Sequence, residues 1–183
     1  MRHPFTLALF LLLSLAGCTR RATVGHSVPD FRLRLLNGRE VSLASYRGHV
    51  LILNFWASFC VPCVQETPAL NALAEKFPAG QAVVLGVSID QDPVAYQTFL
   101  SRYHISFPTA LDPSQDVMHR FGTQLIPETY IIGPDGRLDR KLVSVADWNS
   151  PAMVAYIRSL LPATFGNGGV GATGPQPRVP GGS

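Results

Sequence analysis

The stretch that decides the fold reads VLILNFWASFCVPC and runs from Val50 to Cys63. Its first six residues form a near-continuous apolar run, which is typical of a central strand covered on both faces. Cys60 and Cys63 follow, directly before a segment with helix-forming character. A cysteine at a helix N-terminus lies among unpaired backbone N–H groups at the positive end of the helix dipole, which favours thiolate over thiol. The pattern predicts a strand, a reactive thiol pair and a helix, in that order.

A cysteine pair with this spacing can exchange two electrons with a disulfide, because one thiolate attacks and the other resolves the mixed disulfide. A zinc half-site has the same spacing, but the chain has one other cysteine and no His-x3-5-His pair to complete it. Attachment of c-type haem requires His directly after the second cysteine, where this chain has Val64. A structural disulfide stays open as an alternative, although closing so small a loop adds little stability.

The N-terminal residues predict a targeting segment. The apolar run from Phe5 to Leu15 is about eleven residues long, and a membrane-spanning helix needs roughly twenty. Leu15-Ala16-Gly17-Cys18 resembles the bacterial lipoprotein box, in which cleavage precedes a cysteine that then carries lipid. We therefore expect a signal peptide over 1–17, lipidation at Cys18 and a linker over 18–27. An ordinary secretory signal with an incidental Cys18 is the alternative.

The remaining composition predicts one domain over residues 28–162, which is long enough to build an ordinary core. With Cys18 assigned to lipid, no cysteine remains for a structural disulfide outside the Cys60–Cys63 pair. Fifteen Lys and Arg against twelve Asp and Glu give a formal net charge of +3, which is not the charge pattern of a nucleic-acid-binding protein. Residues 163–183 are rich in Gly and Pro, and this composition predicts a disordered tail.

Along the domain, alternating residues on both sides of Asn37-Gly38 predict a hairpin with a type I′ turn. A second buried strand at Ala82–Ser88 and a helix at Pro93–Tyr103 follow the first strand–helix unit, so we expect the two buried strands to be parallel. The later elements are predicted as a strand at Pro108–Leu111, a helix at Pro113–Phe121, a hairpin of Glu128–Ile132 with Arg137–Val143, and a helix at Pro151–Leu161.

The chain resembles the TlpA/ResA-type thioredoxin-fold proteins of the AhpC/TSA–Redoxin-like superfamily. The resemblance lies in Leu53–Pro68, in Ser45–Gly48, and in Ile126–Thr129 followed by Gly133–Gly136. It implies an α/β thioredoxin fold, with a central mixed sheet flanked by helices, an N-terminal β-hairpin and a central insert. It also implies thiol–disulfide exchange outside the cytoplasm.

Carried over residue by residue, the resemblance makes Cys60 the nucleophile and Cys63 the resolving thiol. Glu66 matches an acid that the family buries near the pair, where a carboxylate three residues along the helix can accept the proton of Cys63. Pro127 matches the proline that thioredoxin folds hold in cis opposite the cysteines. Residues expected to contact the protein whose disulfide is exchanged, the client, are Trp56, Phe59, Ile126, Pro127 and Glu128.

Three positions depart from related patterns. Asn54 stands where thioredoxin itself has a buried aspartate, which leaves proton handling to Glu66. Phe59 stands where the family usually has Trp, so this position keeps an aromatic ring but lacks the indole N–H donor. Glu128 resembles the cytochrome c maturation members, and a carboxylate there would disfavour thiolate at Cys60 or select a basic client loop.

Together these features predict an extracytoplasmic oxidoreductase, lipid-anchored through Cys18, that works without cofactor or metal. By resemblance, a membrane thiol-transfer protein supplies electrons and a client disulfide, such as that of an apocytochrome c, receives them. Thr19 is not aspartate, which favours the outer membrane in a Gram-negative cell.

Two other classes of function compete with this hypothesis. Peroxiredoxins share the fold, but their motif has Thr and Pro where this chain has Ala57 and Leu53. A redox-silent module that binds clients along the Ile126-Pro127 edge is the non-enzymatic alternative.

Overall fold

The computed structural model describes residues 21–77 and 80–163. Its elements are a two-stranded hairpin, a five-stranded sheet and four α-helices packed against that sheet. The strands are β1 Arg32–Arg34, β2 Glu40–Ser42, β3 Val50–Trp56, β4 Ala82–Ser88, β5 Thr109–Leu111, β6 Glu128–Ile132 and β7 Leu138–Val143. The helices are α1 Val61–Glu75, α2 Pro93–Arg102, α3 Asp116–Phe121 and α4 Pro151–Ser159, and a short 3-10 helix covers Leu43–Tyr46.

The large sheet has the strand order β5-β4-β3-β6-β7. β3 pairs in parallel with β4 and antiparallel with β6, so the sheet is mixed. The chain between β4 and β6 adds α2, β5 and α3. These features confirm the predicted thioredoxin-type α/β architecture with its N-terminal hairpin, and they confirm the parallel pairing of the first two buried strands.

β3 is the central strand because both of its faces are covered, as its apolar run predicted. Val50 and Ile52 point into a core shared with α1 and α4. Leu51, Leu53 and Phe55 point to the other face, into a core shared with the hairpin, α2 and α3. Successive strand residues face opposite sides, so β3 joins the two cores through one sheet.

The turn of the N-terminal hairpin differs from the prediction. A type I′ turn needs positive φ at both central residues, but within the described loop 35–39 only Gly38 has one, at +81°. The N–H of Gly38 donates to the carbonyl of Leu35 (2.8 Å), and the N–H of Leu35 donates to the carbonyl of Arg39 (2.9 Å). Leu36 therefore adds a third loop residue, and glycine alone takes the left-handed position. The hairpin is confirmed and its turn type is wrong.

Helix α3 begins at Asp116 and not at the predicted Pro113. Gln115 adopts a left-handed backbone (φ +60°), which a continuous right-handed helix cannot contain. The Asp112 carboxylate accepts hydrogen bonds from the N–H groups of Val117 (3.0 Å) and Met118 (3.1 Å), so it caps the helix from outside the first turn.

The N-terminal part of the described chain forms backbone hydrogen bonds with both edge strands of the sheet. The N–H of Gly25 donates to Leu138 on β7 (2.7 Å), and the N–H of Leu36 donates to Thr109 on β5 (3.0 Å). The end of the predicted linker 18–27 therefore lies against the sheet. Among residues 21–77 and 80–163, no helix has the length and apolar character needed to cross a bilayer. The predicted signal peptide, Cys18 and residues 164–183 of the predicted tail lie outside the described residues.

Candidate active site

The cysteine pair stands where β3 gives way to α1. Cys60 is the N-cap residue of α1, and its sulfur accepts a hydrogen bond from the N–H of Cys63 (3.3 Å). The two sulfurs are joined as a disulfide, with the Cα atoms 5.2 Å apart. Pro62 fits at the start of the helix because its missing N–H would have no partner there. The predicted position of the pair at a helix N-terminus agrees with this geometry.

The loop that carries Cys60 is tied to the end of β4. The N–H of Ser58 donates to both oxygens of the Asp90 carboxylate (3.1 and 3.0 Å), and the Ser58 hydroxyl donates to Oδ1 (2.7 Å). Ser88 donates to the other oxygen, Oδ2 (2.6 Å). A buried carboxylate needs such donors, and here they hold the approach to Cys60 in one conformation.

Glu66 lies one turn after Cys63 on the buried face of α1, with 2% of its surface exposed. One oxygen accepts from Asn54 Nδ2 (2.9 Å), the other from Trp148 Nε1 (3.1 Å), and the backbone of Ala146 also hydrogen-bonds the carboxylate. Burial raises the pKa of Glu66, and the three donors oppose that shift. Glu66 is therefore not a solvated residue on the helix surface.

The geometry of α1 relates Glu66 to the cysteine pair. Residues three apart on a helix share a face, with Cβ atoms about 5–6 Å apart, so the carboxylate lies behind Cys63 and away from solvent. Cys63 is 2% exposed and Cys60 is 7% exposed. The less buried residue of the pair is thus the helix cap, and the more buried one lies on the helix turn before Glu66.

Pro127 follows a cis peptide bond after Ile126. The register pairs Glu128 with Phe55, so Pro127 falls beside the end of β3, where the cysteine loop starts. Its carbonyl accepts a hydrogen bond from the N–H of Ser144 (2.9 Å). The structure thus brings the predicted cis-proline segment to the same end of the sheet as the cysteines.

Glu128 is buried, and its carboxylate has an ion-pair partner and a hydrogen-bond donor within the protein. Lys141 Nζ lies 2.9 Å from Oε1, and the Tyr130 hydroxyl donates to the same oxygen. Burial raises the pKa of Tyr130, and its hydrogen bond to Glu128 adds to the shift. A carboxylate in this position already has a cationic partner, which argues against direct pairing of Glu128 with a basic client loop.

The two aromatic residues predicted to contact the client lie in different places. Phe59 is 72% exposed beside the disulfide, together with the exposed apolar side chains of Val61 and Leu125. Trp56 is buried, and its ring packs on Phe99 with centroids 4.4 Å apart. Trp56 therefore belongs to the core beside α2 and not to the exposed surface next to the disulfide.

Sequence reasoning missed Asp90, Lys141, Ala146 and Trp148. The burial of Glu66 did have a local signal, because Glu66, Leu70 and Leu73 follow the helical spacing of one buried stripe. Trp148 lies eighty-two positions from Glu66, and no local pattern connects the two. Across the described part of the chain, no group of three or more His, Cys, Asp or Glu side chains is arranged to hold a metal ion.

A mixed sheet with a disulfide at the N-terminus of its first long helix defines the class of protein: a thiol–disulfide oxidoreductase with a thioredoxin fold. The chain belongs to the AhpC/TSA family, whose family model matches residues 24–141. The predicted family relationship is confirmed.

Individual relatives agree with this assignment. The thiol-disulfide oxidoreductase ResA of Geobacillus thermodenitrificans (strain NG80-2) is 32% identical over 144 residues, which cover 74% of this chain and 83% of that protein. A Chlorobium tepidum crystal structure, provisionally assigned as the thiol:disulfide interchange protein DsbE, is 28% identical with a TM-score of 0.71, covering 77% of this chain and 99% of that one. A thiol-disulfide oxidoreductase from Bacteroides fragilis NCTC 9343 shares the fold with a TM-score of 0.64 at 24% identity, covering 74% of this chain and all (100%) of that one.

Proposed function

We propose that this protein reduces disulfides in client proteins outside the cytoplasm, using the Cys60–Cys63 dithiol. The observation that carries the proposal is the position of Cys60 as the N-cap of α1, where its sulfur accepts the N–H of Cys63. This environment stabilises a thiolate at Cys60 once the disulfide is reduced. The lower exposure of Cys63 supports its role as the resolving thiol.

The proposed reaction passes two electrons to the client. The Cys60 thiolate attacks one client sulfur, and the other client sulfur leaves as a thiolate. Cys63 then gives its proton to Glu66 and attacks Cys60, which releases the second client sulfur and restores the Cys60–Cys63 disulfide present in the structure. Glu66 is suited to this step because it lies one helical turn from Cys63 and both residues are buried, so solvent water has little access to take the proton.

Client binding is proposed at the exposed apolar surface around the disulfide. Phe59 contributes its ring, and the Ile126-Pro127 segment contributes backbone for pairing with an extended client strand. Trp56 and Glu128 act from inside the protein, because both are buried.

The proposed partners follow from the sequence resemblance. A membrane thiol-transfer protein would return electrons to the Cys60–Cys63 disulfide, and an apocytochrome c would be one client. We place the protein on the extracytoplasmic side of a membrane, anchored by lipid on Cys18, with the outer membrane favoured in a Gram-negative cell. Leu15-Ala16-Gly17-Cys18 supports this location.

Trapping of mixed disulfides with Cys63→Ser tests the proposal. This variant keeps the nucleophile but lacks the resolving thiol, so client proteins should accumulate as complexes linked to Cys60. Non-reducing gels followed by mass spectrometry identify the clients, and the matched control Cys60→Ser/Cys63→Ser should trap none.

Other outcomes of this experiment would contradict the proposal. Clients that the double-serine control still captures would indicate a redox-silent binding module. Rapid sulfenic acid formation at Cys60 on addition of peroxide, without client complexes, would indicate a peroxidase.

A further inference from the structure

Trp148 lies on the segment that joins β7 to α4, and its ring is fully buried. It packs in the core between the sheet, α1 and α4, in the same cluster as Leu70, Leu73 and Ile157. A buried indole N–H needs an acceptor. Here the acceptor is the Oε2 atom of Glu66, at 3.1 Å.

We propose that Trp148 is a positioning residue for the proton transfer at Cys63, and that it acts by holding the Glu66 carboxylate in place. This inference rests on the role given to Glu66 in the proposed function. Trp148 holds one carboxylate oxygen and Asn54 holds the other. Because these two donors come from β3 and from the β7–α4 segment, they fix the orientation of the carboxylate.

The surroundings of Glu66 show why one donor matters. The groups that hydrogen-bond the carboxylate are Asn54 from β3, and the Ala146 backbone and Trp148 indole from the β7–α4 segment. Cys63 lies one turn earlier on the same helix. Asn54 also donates to Thr129 on β6 (2.9 Å), so it is itself held in place. The negative charge of Glu66 is therefore stabilised by hydrogen bonds, and loss of the indole N–H would remove one of three.

The first test observes Trp148 directly in the disulfide form, in which the cysteines do not titrate. The chain has two tryptophans, and the indole N–H resonances of both can be followed by 15N NMR as the pH is changed. The Trp148 resonance should shift in a single titration that disappears in Glu66→Gln, while the Trp56 resonance should not follow that titration. A Trp148 resonance that ignores Glu66→Gln would overturn the proposal.

The second test measures how fast the reduced protein resolves a mixed disulfide across pH. Trp148→Phe keeps an aromatic ring but removes the N–H, so it should slow resolution by about tenfold on the acidic side of the profile and move the profile to higher pH. In a Glu66→Gln background the same substitution should leave the pH profile unchanged. The packing control is Ile157→Val, which loosens the same core without touching Glu66 and should not move the profile.

These results separate the inference from the proposed function. If Trp148→Phe and Ile157→Val move the profile equally, or if Trp148→Phe acts equally with and without Glu66, then Trp148 only fills the core and the inference fails. The NMR titration needs no client and no fold-perturbing tryptophan variant. A failure of client trapping would therefore overturn the proposed function. The Trp148–Glu66 contact would still be tested separately, by the NMR titration.

Discussion

At the scale of single residues, the Glu66 carboxyl group is subject to two opposing effects. Burial penalises its charged form, and hydrogen bonds from Trp148, Asn54 and Ala146 favour that form. Burial is the larger effect, so the pKa of Glu66 is raised. In the proposed function, this carboxyl group accepts the Cys63 proton during client reduction and returns it when a reductant reopens the disulfide.

The raised pKa of Glu66 predicts a pH-dependent stability difference. The folded protein holds this proton more tightly than the unfolded chain, so the contribution to stability is fully present below the ordinary pKa of 4.5 and is lost as pH rises through the raised pKa. Glu66→Gln cannot titrate, so its unfolding free energy relative to the native protein should increase as pH rises above 4.5. Urea unfolding of both proteins in the disulfide form measures the difference, and a constant difference across pH would contradict the prediction.

At the scale of elements, the short loop between β3 and α1 depends on the end of β4. The carbonyl of Trp56 accepts the N–H of Ile89 (2.9 Å), and Asp90 accepts three hydrogen bonds from Ser58. These contacts continue the β3–β4 pairing beyond the sheet. The helix N-terminus at Cys60 thereby has a fixed place relative to β4.

Removal of the Asp90 carboxylate should weaken this loop. Asp90→Ala leaves the half-buried N–H and hydroxyl of Ser58 without their acceptor, so we expect a loss of about 1–3 kcal/mol in unfolding free energy together with slower disulfide exchange. Thermal or urea unfolding and a stopped-flow exchange assay measure the two effects.

Asp92→Ala is the matched control for this prediction. Asp92 caps α2 by accepting the N–H of Val94 (2.8 Å) and is exposed, so its loss should cost about 1 kcal/mol and leave exchange unchanged. Equal effects of the two variants on exchange would show that Asp90 has no special role at the cysteine loop.

At the scale of the whole molecule, the N-terminal part of the described chain bonds to both edge strands of the five-stranded sheet. Residues near Gly25 pair with Arg137 and Leu138 at the start of β7, and the hairpin reaches β5 through Leu35 and Leu36. Such partners on an edge strand limit edge-to-edge association between molecules. The described domain is stabilised by its two cores and these contacts, since the Cys60–Cys63 disulfide closes too short a loop to add much.

The proposed location of the molecule makes a further prediction. Cys18→Ser should release the protein from the membrane fraction and abolish its labelling by radioactive fatty acid, because lipid on Cys18 would be the anchor. Cell fractionation followed by immunoblotting measures the distribution. Cys60→Ser/Cys63→Ser is the control and should stay membrane-bound. A Cys18→Ser protein that remains membrane-bound and labelled would refute lipid anchoring at this residue.

Much of the fold and part of the site could be predicted from local sequence. The apolar run of β3 is interrupted only by Asn54, so it predicted a strand covered on both faces, and the cysteine pair was predicted at the start of the following helix. The hairpin was predicted from alternation, but its turn type was not, because Leu36 joined the loop instead of the strand. Asp112 decided the start of α3 through its side chain, which helix periodicity does not reveal.

The sequence by itself determined the central strand and the cysteine pair at the start of the following helix, because each depends on residues within a few turns of one another. The burial of Glu66 was predicted through the family resemblance. Only the tertiary structure decided which groups hydrogen-bond or pair with the buried carboxylates of Glu66 and Glu128. Trp148 reaches Glu66 from eighty-two residues away, and Lys141 reaches Glu128 from the neighbouring strand. The physical reason is that a buried carboxylate needs hydrogen-bond donors or a cation close to it. Those partners come from distant parts of the chain, so the contacts depend on the assembled sheet rather than on local spacing.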